Sequence, residues 1–174
     1  HGPTLASNAR TVLAHPTFEL ACAAGESTVS QRLAQRFAAL EGQPARELRT
    51  QPFDPARLPR LDLLFASLPT GRSREPLAQV PAGVRIVDVG GDHRFVAGWT
   101  YGLTELPGQR ERIRPATRLA NPGCYPAAAL LALAPLLREG LVEAEGIVIA
   151  AKSGVTGTGR GGASDFGYVE TSED

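Results

Sequence analysis

The chain passes from a strand into a helix at Asn121-Pro122-Gly123-Cys124-Tyr125-Pro126. A short extended run at 118–120 precedes this turn, and a dense apolar segment at 127–137 follows it. Pro126 suits the first turn of a helix, where the missing N–H costs no hydrogen bond. Cys124 is therefore expected just outside the helix N-terminus, where free amides and the helix dipole favour a thiolate over a thiol. The pattern predicts a nucleophile, and the alternative is a buried cysteine that packs as a small apolar residue.

Apolar segments of strand length alternate with helical segments along the rest of the chain. The pattern predicts strands at 18–23, 61–67, 84–89, 118–120 and 147–151, and helices at 5–14, 27–40, 72–80 and 127–137. Val29, Leu33 and Leu40 are expected to face inward, and the last helix is apolar nearly all round, which predicts burial on most sides. This alternation predicts an α/β fold with a doubly wound parallel sheet, whose ligand crevice lies at the carboxyl ends of the strands.

Composition limits the classes of function. The 174 residues include 18 basic and 18 acidic side chains, so a nucleic-acid or membrane-surface protein is not expected. No apolar run reaches membrane-spanning length, and the start lacks a secretory signal pattern. Two cysteines and three histidines show no metal-ligand spacing and no disulfide framework, so we expect no metal and a cytoplasmic location. Because the sequence lacks Met and begins His1-Gly2-Pro3, we interpret it as a fragment.

Several motifs carry a resemblance to one enzyme family. The Asn-Pro-Gly-Cys-Tyr-Pro stretch at 121–126 resembles the active-site signature of the N-acetyl-gamma-glutamyl-phosphate reductases, arginine-pathway relatives of aspartate-semialdehyde dehydrogenase. The segment 64–73 is similar to their Leu-Pro-His-Gly-x-Ser segment, with Thr70 in place of His, and 152–160 is similar to their Lys-Ser-Gly-Val-Ser-Gly-Ala-Gly-Arg. The resemblance implies that Cys124 attacks an acyl phosphate and that a nicotinamide cofactor reduces the resulting thioester to an aldehyde.

The resemblance also implies a domain organisation. Residues 1–122 would form a Rossmann-like NAD(P)-binding domain that lacks its first strand, and 123–174 the start of a second α+β catalytic and dimerisation domain. The full-length protein would be a homo-oligomer, either a dimer or a tetramer. The family's general acid/base is a histidine in a motif that falls beyond Asp174, so the chain is predicted to be inactive alone.

Cofactor contacts are implied at three places. Gly2 and Thr4 fall on the family's glycine-rich turn, but Leu5 replaces its last glycine, which argues against tight binding at this edge. Glu26 follows the strand predicted at 18–23 and favours NAD mildly, whereas the family uses NADP, so NADP is expected with NAD possible. The third place is the turn beside the nicotinamide, to which the resemblance assigns Ser67 through its hydroxyl, Pro69, and Gly71 through its amide.

Substrate contacts are expected on the other side of the crevice. Asp92 stands two residues before Arg94 and is expected to orient its guanidinium toward a carboxylate or phosphate. Asn121 would steady an oxyanion, and Ser153 and Gly154 would line the substrate side. His93 could act as a general base, but it occupies the family's Phe position, so this role is not favoured.

Three alternatives stay open at this point. The first is a sister reductase acting on a lysine-pathway acyl phosphate or on aspartyl phosphate. The second is a thiol acyltransferase or hydrolase that uses the same cysteine turn without a cofactor. The third is a non-catalytic remnant, favoured by Leu5 and the missing base. Binding of nicotinamide cofactors separates the third from a reductase.

Overall fold

A computed structural model of the chain describes residues 2–25, 29–36, 40, 47–55 and 61–152, with residues 2–7 described by their backbone alone. Five helices lie in these ranges: α1 (Gly2–Ala14), α2 (Leu33–Arg36), α3 (Arg74–Ala78), α4 (Gln109–Ile113) and α5 (Cys124–Arg138). Six strands alternate with them: β1 (Ala23–Ala24), β2 (Thr50–Gln51), β3 (Leu63–Ala66), β4 (Arg85–Asp88), β5 (Thr100–Tyr101) and β6 (Arg118–Ala120).

The strands form parallel sheets, which confirms the predicted α/β class. One sheet has four strands in the order β3-β4-β6-β5, and β1 pairs with β2 in a second sheet. Every one of these pairings is parallel. Because parallel strands need crossover connections, the predicted short crossover helix appears as α3 between β3 and β4.

The single continuous sheet of the prediction is replaced by two sheets in the described residues. The Rossmann strand order places the first strand between the second and the fourth. Among the described residues, no strand lies between β1 and β3 to carry hydrogen bonds from one sheet to the other.

The core consists of two apolar clusters, one beneath each sheet. Ala9 of α1, Ala23, Leu33 and Leu40 pack together in the first cluster. The second comprises Ala66, Leu77, Val80 and Ile86, with Trp99 packed against it. Ala9 and Val12 of α1 are buried, and so are the inward positions Leu33 and Leu40.

Two predicted elements near the N-terminus are wrong in extent. The strand predicted at 18–23 is confined to Ala23–Ala24, and Phe18 is 45% exposed and stacks on His15. The helix predicted from residue 27 begins only at Leu33. Ser30 has a positive φ of 65°, which interrupts a right-handed helix, and its N–H donates to the Thr50 carbonyl at 2.7 Å.

No residue from the start of α5 to residue 152 is buried. Burial was predicted for α5, yet none of its residues is buried. No described strand pairs with the strand predicted at 147–151, where Val148 is 88% exposed. Apolar periodicity gives the faces that can be buried, but burial itself requires a partner surface, which the described residues do not provide for these segments.

Candidate active site

Cys124 is the first residue of α5. Gly123 is the N-cap, and its carbonyl accepts a hydrogen bond from the Ala127 N–H at 2.9 Å. The cysteine therefore lies inside the first helical turn rather than just before it as predicted. Its side chain is exposed and makes no disulfide, which excludes the alternative of a buried, packed cysteine. An exposed thiol at the N-terminus of a helix is accessible to a small electrophile.

The second cysteine differs in burial. Cys22 is half-buried and precedes β1, and burial raises the pKa of its thiol. Since the thiolate is the reactive form, burial makes the Cys22 thiol less nucleophilic than an exposed thiol. We therefore expect a thiol reagent to label the exposed Cys124 before Cys22.

Arg94 lies against the cysteine turn. Its Nε–H donates to the Asn121 carbonyl at 3.0 Å. Its Nη1 is only 2.9 Å from the position that a Cβ on Gly123 would occupy. The guanidinium thus fits against the backbone of Gly123 because that residue has no side chain, and the structure places Arg94 beside the turn that presents Cys124.

Asn121 is held to the sheet by its backbone. Its N–H donates to the Asp88 carbonyl at 2.8 Å, which continues the β4–β6 pairing by one residue. Its side-chain amide donates to the Pro122 carbonyl at 3.0 Å and is exposed. One of the two amide hydrogens is used in this contact, so a single N–H remains for the predicted oxyanion role.

The turn after β3 approaches the same edge of the sheet. The Ser67 hydroxyl oxygen accepts a hydrogen bond from Asn8 Nδ2 at 2.7 Å, which leaves its O–H as a donor. Gly71 has a φ of 85°, a conformation suited to glycine. Its N–H donates to Asp92 Oδ1 at 2.6 Å. The prediction that the Gly71 amide faces a cofactor is therefore wrong, because that amide already has a partner inside the protein.

Asp92 contacts the 71–73 turn and not Arg94 as predicted. Its Oδ2 accepts hydrogen bonds from both the N–H and the hydroxyl of Ser73, each at 2.9 Å. Partial burial alone would raise the pKa of Asp92. The hydrogen bonds from Gly71 and Ser73, with the charge of Arg74, outweigh this effect and hold the pKa of Asp92 below its ordinary value.

A buried polar cluster lies behind this turn. His93 is 6% exposed, its Nδ1 is 2.6 Å from Asp88 Oδ2, and its ring stacks on Trp99 at 3.9 Å between centroids. The Ser73 hydroxyl also reaches Asp88 Oδ2 at 3.2 Å. Buried polar groups that satisfy one another stabilise a fold. These contacts favour a structural role for His93 over a role as general base.

Some predicted site residues lie elsewhere. Gly2 and Thr4 belong to the first turn of α1, and their side chains are outside the description. Glu26, Ser153 and Gly154 fall outside the described residues. Their predicted roles stay predictions.

Three contributors were missed by sequence reasoning: Asn8, Ser73 and Asp88. Each acts through a partner far along the chain, such as the 59 residues that separate Asn8 from Ser67. Ser73, at the N-terminus of α3, had a signal in its residue type, since Ser is preferred at helix starts. No local pattern identifies the partner of a long-range hydrogen bond.

Several predicted site residues lie at the carboxyl edge of the four-stranded sheet. The Asn8–Ser67 hydrogen bond connects α1 to the turn after β3. Ser67, Arg94 and the Cys124 turn follow the carboxyl ends of β3, β4 and β6, which are neighbours in the sheet. A ligand at this edge would lie beside the cysteine.

Comparison with known proteins gives the family. The family described as "Semialdehyde dehydrogenase, NAD binding domain" matches residues 6–116. The chain belongs to the semialdehyde dehydrogenase family. A second description, "Semialdehyde dehydrogenase, dimerisation domain", matches residues 124–174, beginning at the cysteine. The expected nicotinamide-binding Rossmann fold followed by the start of a second domain is confirmed at this level.

Several curated relatives are named N-acetyl-gamma-glutamyl-phosphate reductase. The one from Bradyrhizobium sp. (strain BTAi1) is 57% identical over 166 residues, which is 94% of this chain and 50% of the relative. Those from Bradyrhizobium sp. (strain ORS 278) and Methylobacterium sp. (strain 4-46) are 55% and 57% identical, also over 94% of this chain and 50% of each relative. The chain thus spans about half the length of the curated relatives it matches. These similarities confirm the resemblance drawn from the motifs.

Helices long and apolar enough to cross a bilayer are absent from the part of the chain that the structure describes. Among the same residues, no three His, Cys, Asp or Glu side chains cluster as metal ligands would.

Proposed function

We propose that the protein carrying this chain reduces N-acetyl-gamma-glutamyl phosphate to N-acetyl-glutamate semialdehyde, a step of arginine biosynthesis. The observation that carries the proposal is the exposed Cys124 at the start of α5, with the Arg94 guanidinium against the same turn. The name shared by the relatives supports the choice of substrate over the lysine-pathway and aspartyl phosphates.

Cys124 is the nucleophile of the first step. Its sulfur attacks the acyl carbon, an S–C bond forms, and the C–O bond to phosphate breaks with its electron pair leaving on phosphate. The Nε of Arg94 is fixed on the Asn121 carbonyl, and among the described residues its Nη groups make no hydrogen bond. These groups are placed to neutralise the leaving phosphate.

The second step reduces the thioester and regenerates the free cysteine. A bound nicotinamide cofactor supplies the hydride that reduces the thioester. The remaining N–H of the Asn121 amide and the amides at the start of α5 stabilise the negative oxygen on the substrate carbon. When the S–C bond breaks, its electron pair returns to sulfur and the aldehyde leaves. The general acid/base is expected to be a histidine beyond Asp174.

The cofactor is proposed to be NADP, with NAD as the alternative. The N-terminus of α1, with Gly2 and Thr4, would hold the pyrophosphate. Ser67 and the exposed Pro69 would contact the nicotinamide side. Glu26, in the place where Rossmann proteins select the ribose, would decide between the two cofactors.

The remaining contacts complete the proposal. Ser153 and Gly154 would line the substrate side of the crevice. The partner is a small acyl phosphate, with no nucleic-acid or membrane partner. The full-length protein would act in the cytoplasm as a homo-oligomer, in keeping with the dimerisation-domain match.

The test uses the full-length protein in the reverse direction. Phosphate-dependent reduction of NADP by N-acetyl-glutamate semialdehyde is expected, and Cys124→Ser is expected to lower kcat by at least about 10³-fold because an alcohol replaces the thiolate. Cys22→Ser is the matched control and should retain the activity, since Cys22 is half-buried and lies before β1.

The other outcomes separate the alternatives. If Cys124→Ser kept most of the activity, this cysteine would not be the nucleophile. Acyl phosphate cleavage without any nicotinamide oxidation would indicate a thiol hydrolase or acyltransferase. Failure to bind either cofactor would indicate a non-catalytic remnant.

A further inference from the structure

The loop that follows β4 contacts two turns, the 69–73 turn after β3 and the cysteine turn at 121–126. At one end of it, both carboxylate oxygens of Asp92 are used by a single turn. Oδ1 accepts from the Gly71 N–H at 2.6 Å, and Oδ2 accepts from the N–H and hydroxyl of Ser73. Three donors that converge on one carboxylate fix a turn more firmly than any of them alone, because charged acceptors form the stronger hydrogen bonds.

Two residues further along, Arg94 contacts the cysteine turn at the Asn121 carbonyl. The glycines before Asp92 keep the loop close to its neighbours. A Cβ on Gly91 would lie 3.4 Å from Thr70 Oγ1 and 3.7 Å from Arg94 Nη1. The Thr70 turn and the Arg94 guanidinium therefore approach the same short backbone segment from two directions.

We infer that Asp92 is a positioning residue that fixes the 69–73 turn in the conformation that receives the nicotinamide end of the cofactor. This inference rests on the proposed function. Asp92 acts through the turn and not by touching the ligand, since both of its oxygens are already occupied by the turn. Hydride transfer would require the nicotinamide to lie within van der Waals reach of the acyl carbon bound to Cys124, so a small displacement of this turn matters.

The structure separates this role from a general contribution to stability. Arg94 has its own anchor on the cysteine turn, independent of the carboxylate of Asp92. Loss of the carboxylate should therefore loosen the cofactor turn and leave the presentation of Cys124 unchanged. A merely structural residue would change both together or neither.

The experiment compares Asp92→Asn with Glu75→Gln in the full-length protein. The asparagine keeps the shape but loses the acceptor that faces the Ser73 amide. Glu75 is exposed on α3 and, among the described residues, its carboxylate accepts no hydrogen bond from the turn, so its variant removes the same charge without the contact. The two readouts are the Kd of NADPH, from fluorescence titration, and the rate at which iodoacetamide alkylates Cys124, from peptide mass spectrometry.

The expected result is a rise of about tenfold in the NADPH Kd for Asp92→Asn, with the Cys124 alkylation rate within about twofold of wild type. Glu75→Gln should change neither readout. An unchanged Kd in Asp92→Asn would overturn the inference, and so would a parallel change in both readouts. If wild type binds NADH and not NADPH, the same comparison is made with the Kd of NADH. If wild type binds neither cofactor, the proposed function is overturned together with the inference.

Should Asp92→Asn fail to fold, Asp92→Glu carries the test. It keeps the charge but moves the oxygens by one methylene, so an NADPH Kd raised by about threefold is expected. A wild-type Kd in Asp92→Glu would show that the placement of these oxygens is not used by the cofactor turn.

Discussion

Gly123 sets how closely Arg94 can approach the cysteine turn. Its φ of −74° and ψ of 155° are accessible to any residue, so the backbone does not require glycine there. The requirement is steric, since a Cβ would lie 2.9 Å from Arg94 Nη1 and 3.3 Å from Pro126 Cδ. The glycine at this position thus allows a guanidinium to contact the backbone directly before Cys124.

Gly123→Ala should therefore damage substrate binding more than stability. The added methyl displaces the end of a flexible side chain, and Ala replaces Gly at an N-cap, so the melting temperature should fall by no more than a few degrees. With Arg94 shifted, the KM for phosphate in the reverse reaction should rise by about tenfold, because a charge-assisted contact is lost. Steady-state kinetics of the reverse reaction measure this KM.

The matched control is Gly83→Ala, because nothing lies within 4 Å of a Cβ built on Gly83. This variant should retain the wild-type KM for phosphate. A Gly123→Ala protein with an unchanged KM would show that Arg94 does not hold the phosphate.

At the scale of elements, the positions of helices and strands were predicted well where neighbouring residues alone determine them. The strand at 118–120 was predicted with its observed bounds, and β3, β4, α1 and α3 lie within their predicted segments or within three residues of them. Apolar periodicity, and the prolines that end a helix, depend only on residues that are neighbours in the chain. Both can therefore be recognised from the sequence alone.

Failures occurred where an element depends on a distant partner. Val29 was assigned to a helical face, but the positive φ at Ser30 and its hydrogen bond to Thr50 hold this segment in a turn beside β2. Asp92 was assigned to Arg94 on spacing alone, whereas its partners lie about twenty residues earlier in the chain, at Gly71 and Ser73. A residue pattern shows which groups need partners but not which partners fold next to them.

The contact between the β4 loop and α3 predicts a pH dependence. Because the pKa of Asp92 is lower in the folded protein, the unfolded chain binds more protons as the pH falls, and stability decreases with it. The contribution of Asp92 is complete above the ordinary carboxyl pKa of about 3.9 and is lost as the pH falls through the lower folded value.

In urea titrations of the full-length protein between about pH 6 and pH 3, wild type should therefore exceed Asp92→Asn in unfolding free energy at the upper end. The difference should shrink toward the acidic end, because there the unfolded chain takes up a proton on this carboxyl before the folded protein does. A difference that stays constant with pH would contradict the role of charge. Glu75→Gln serves again as the control for loss of one exposed carboxylate.

At the scale of the whole molecule, the described chain consists of two parallel sheets with separate apolar clusters. The resemblance predicted the order of the parts correctly, because it rests on motifs spread from residue 64 to residue 160. It could not predict how the first part of the chain contacts the larger sheet. The Asn8–Ser67 hydrogen bond makes such a contact, joining α1 of the first cluster to the end of β3.

Asn8→Ala tests whether this contact serves both stability and cofactor binding. Loss of one part-buried hydrogen bond should lower the free energy of unfolding of the full-length protein by about 1 kcal/mol. The bond links α1, proposed to hold the pyrophosphate, to the turn proposed to receive the nicotinamide. The NADPH Kd should therefore also rise, by about threefold to tenfold. Urea unfolding and fluorescence titration measure the two effects.

Arg10→Ala, an exposed position on the same helix, should change neither quantity. If Asn8→Ala lowered stability but bound NADPH as wild type does, Asn8 would hold the two sheets together without shaping the crevice between α1 and β3.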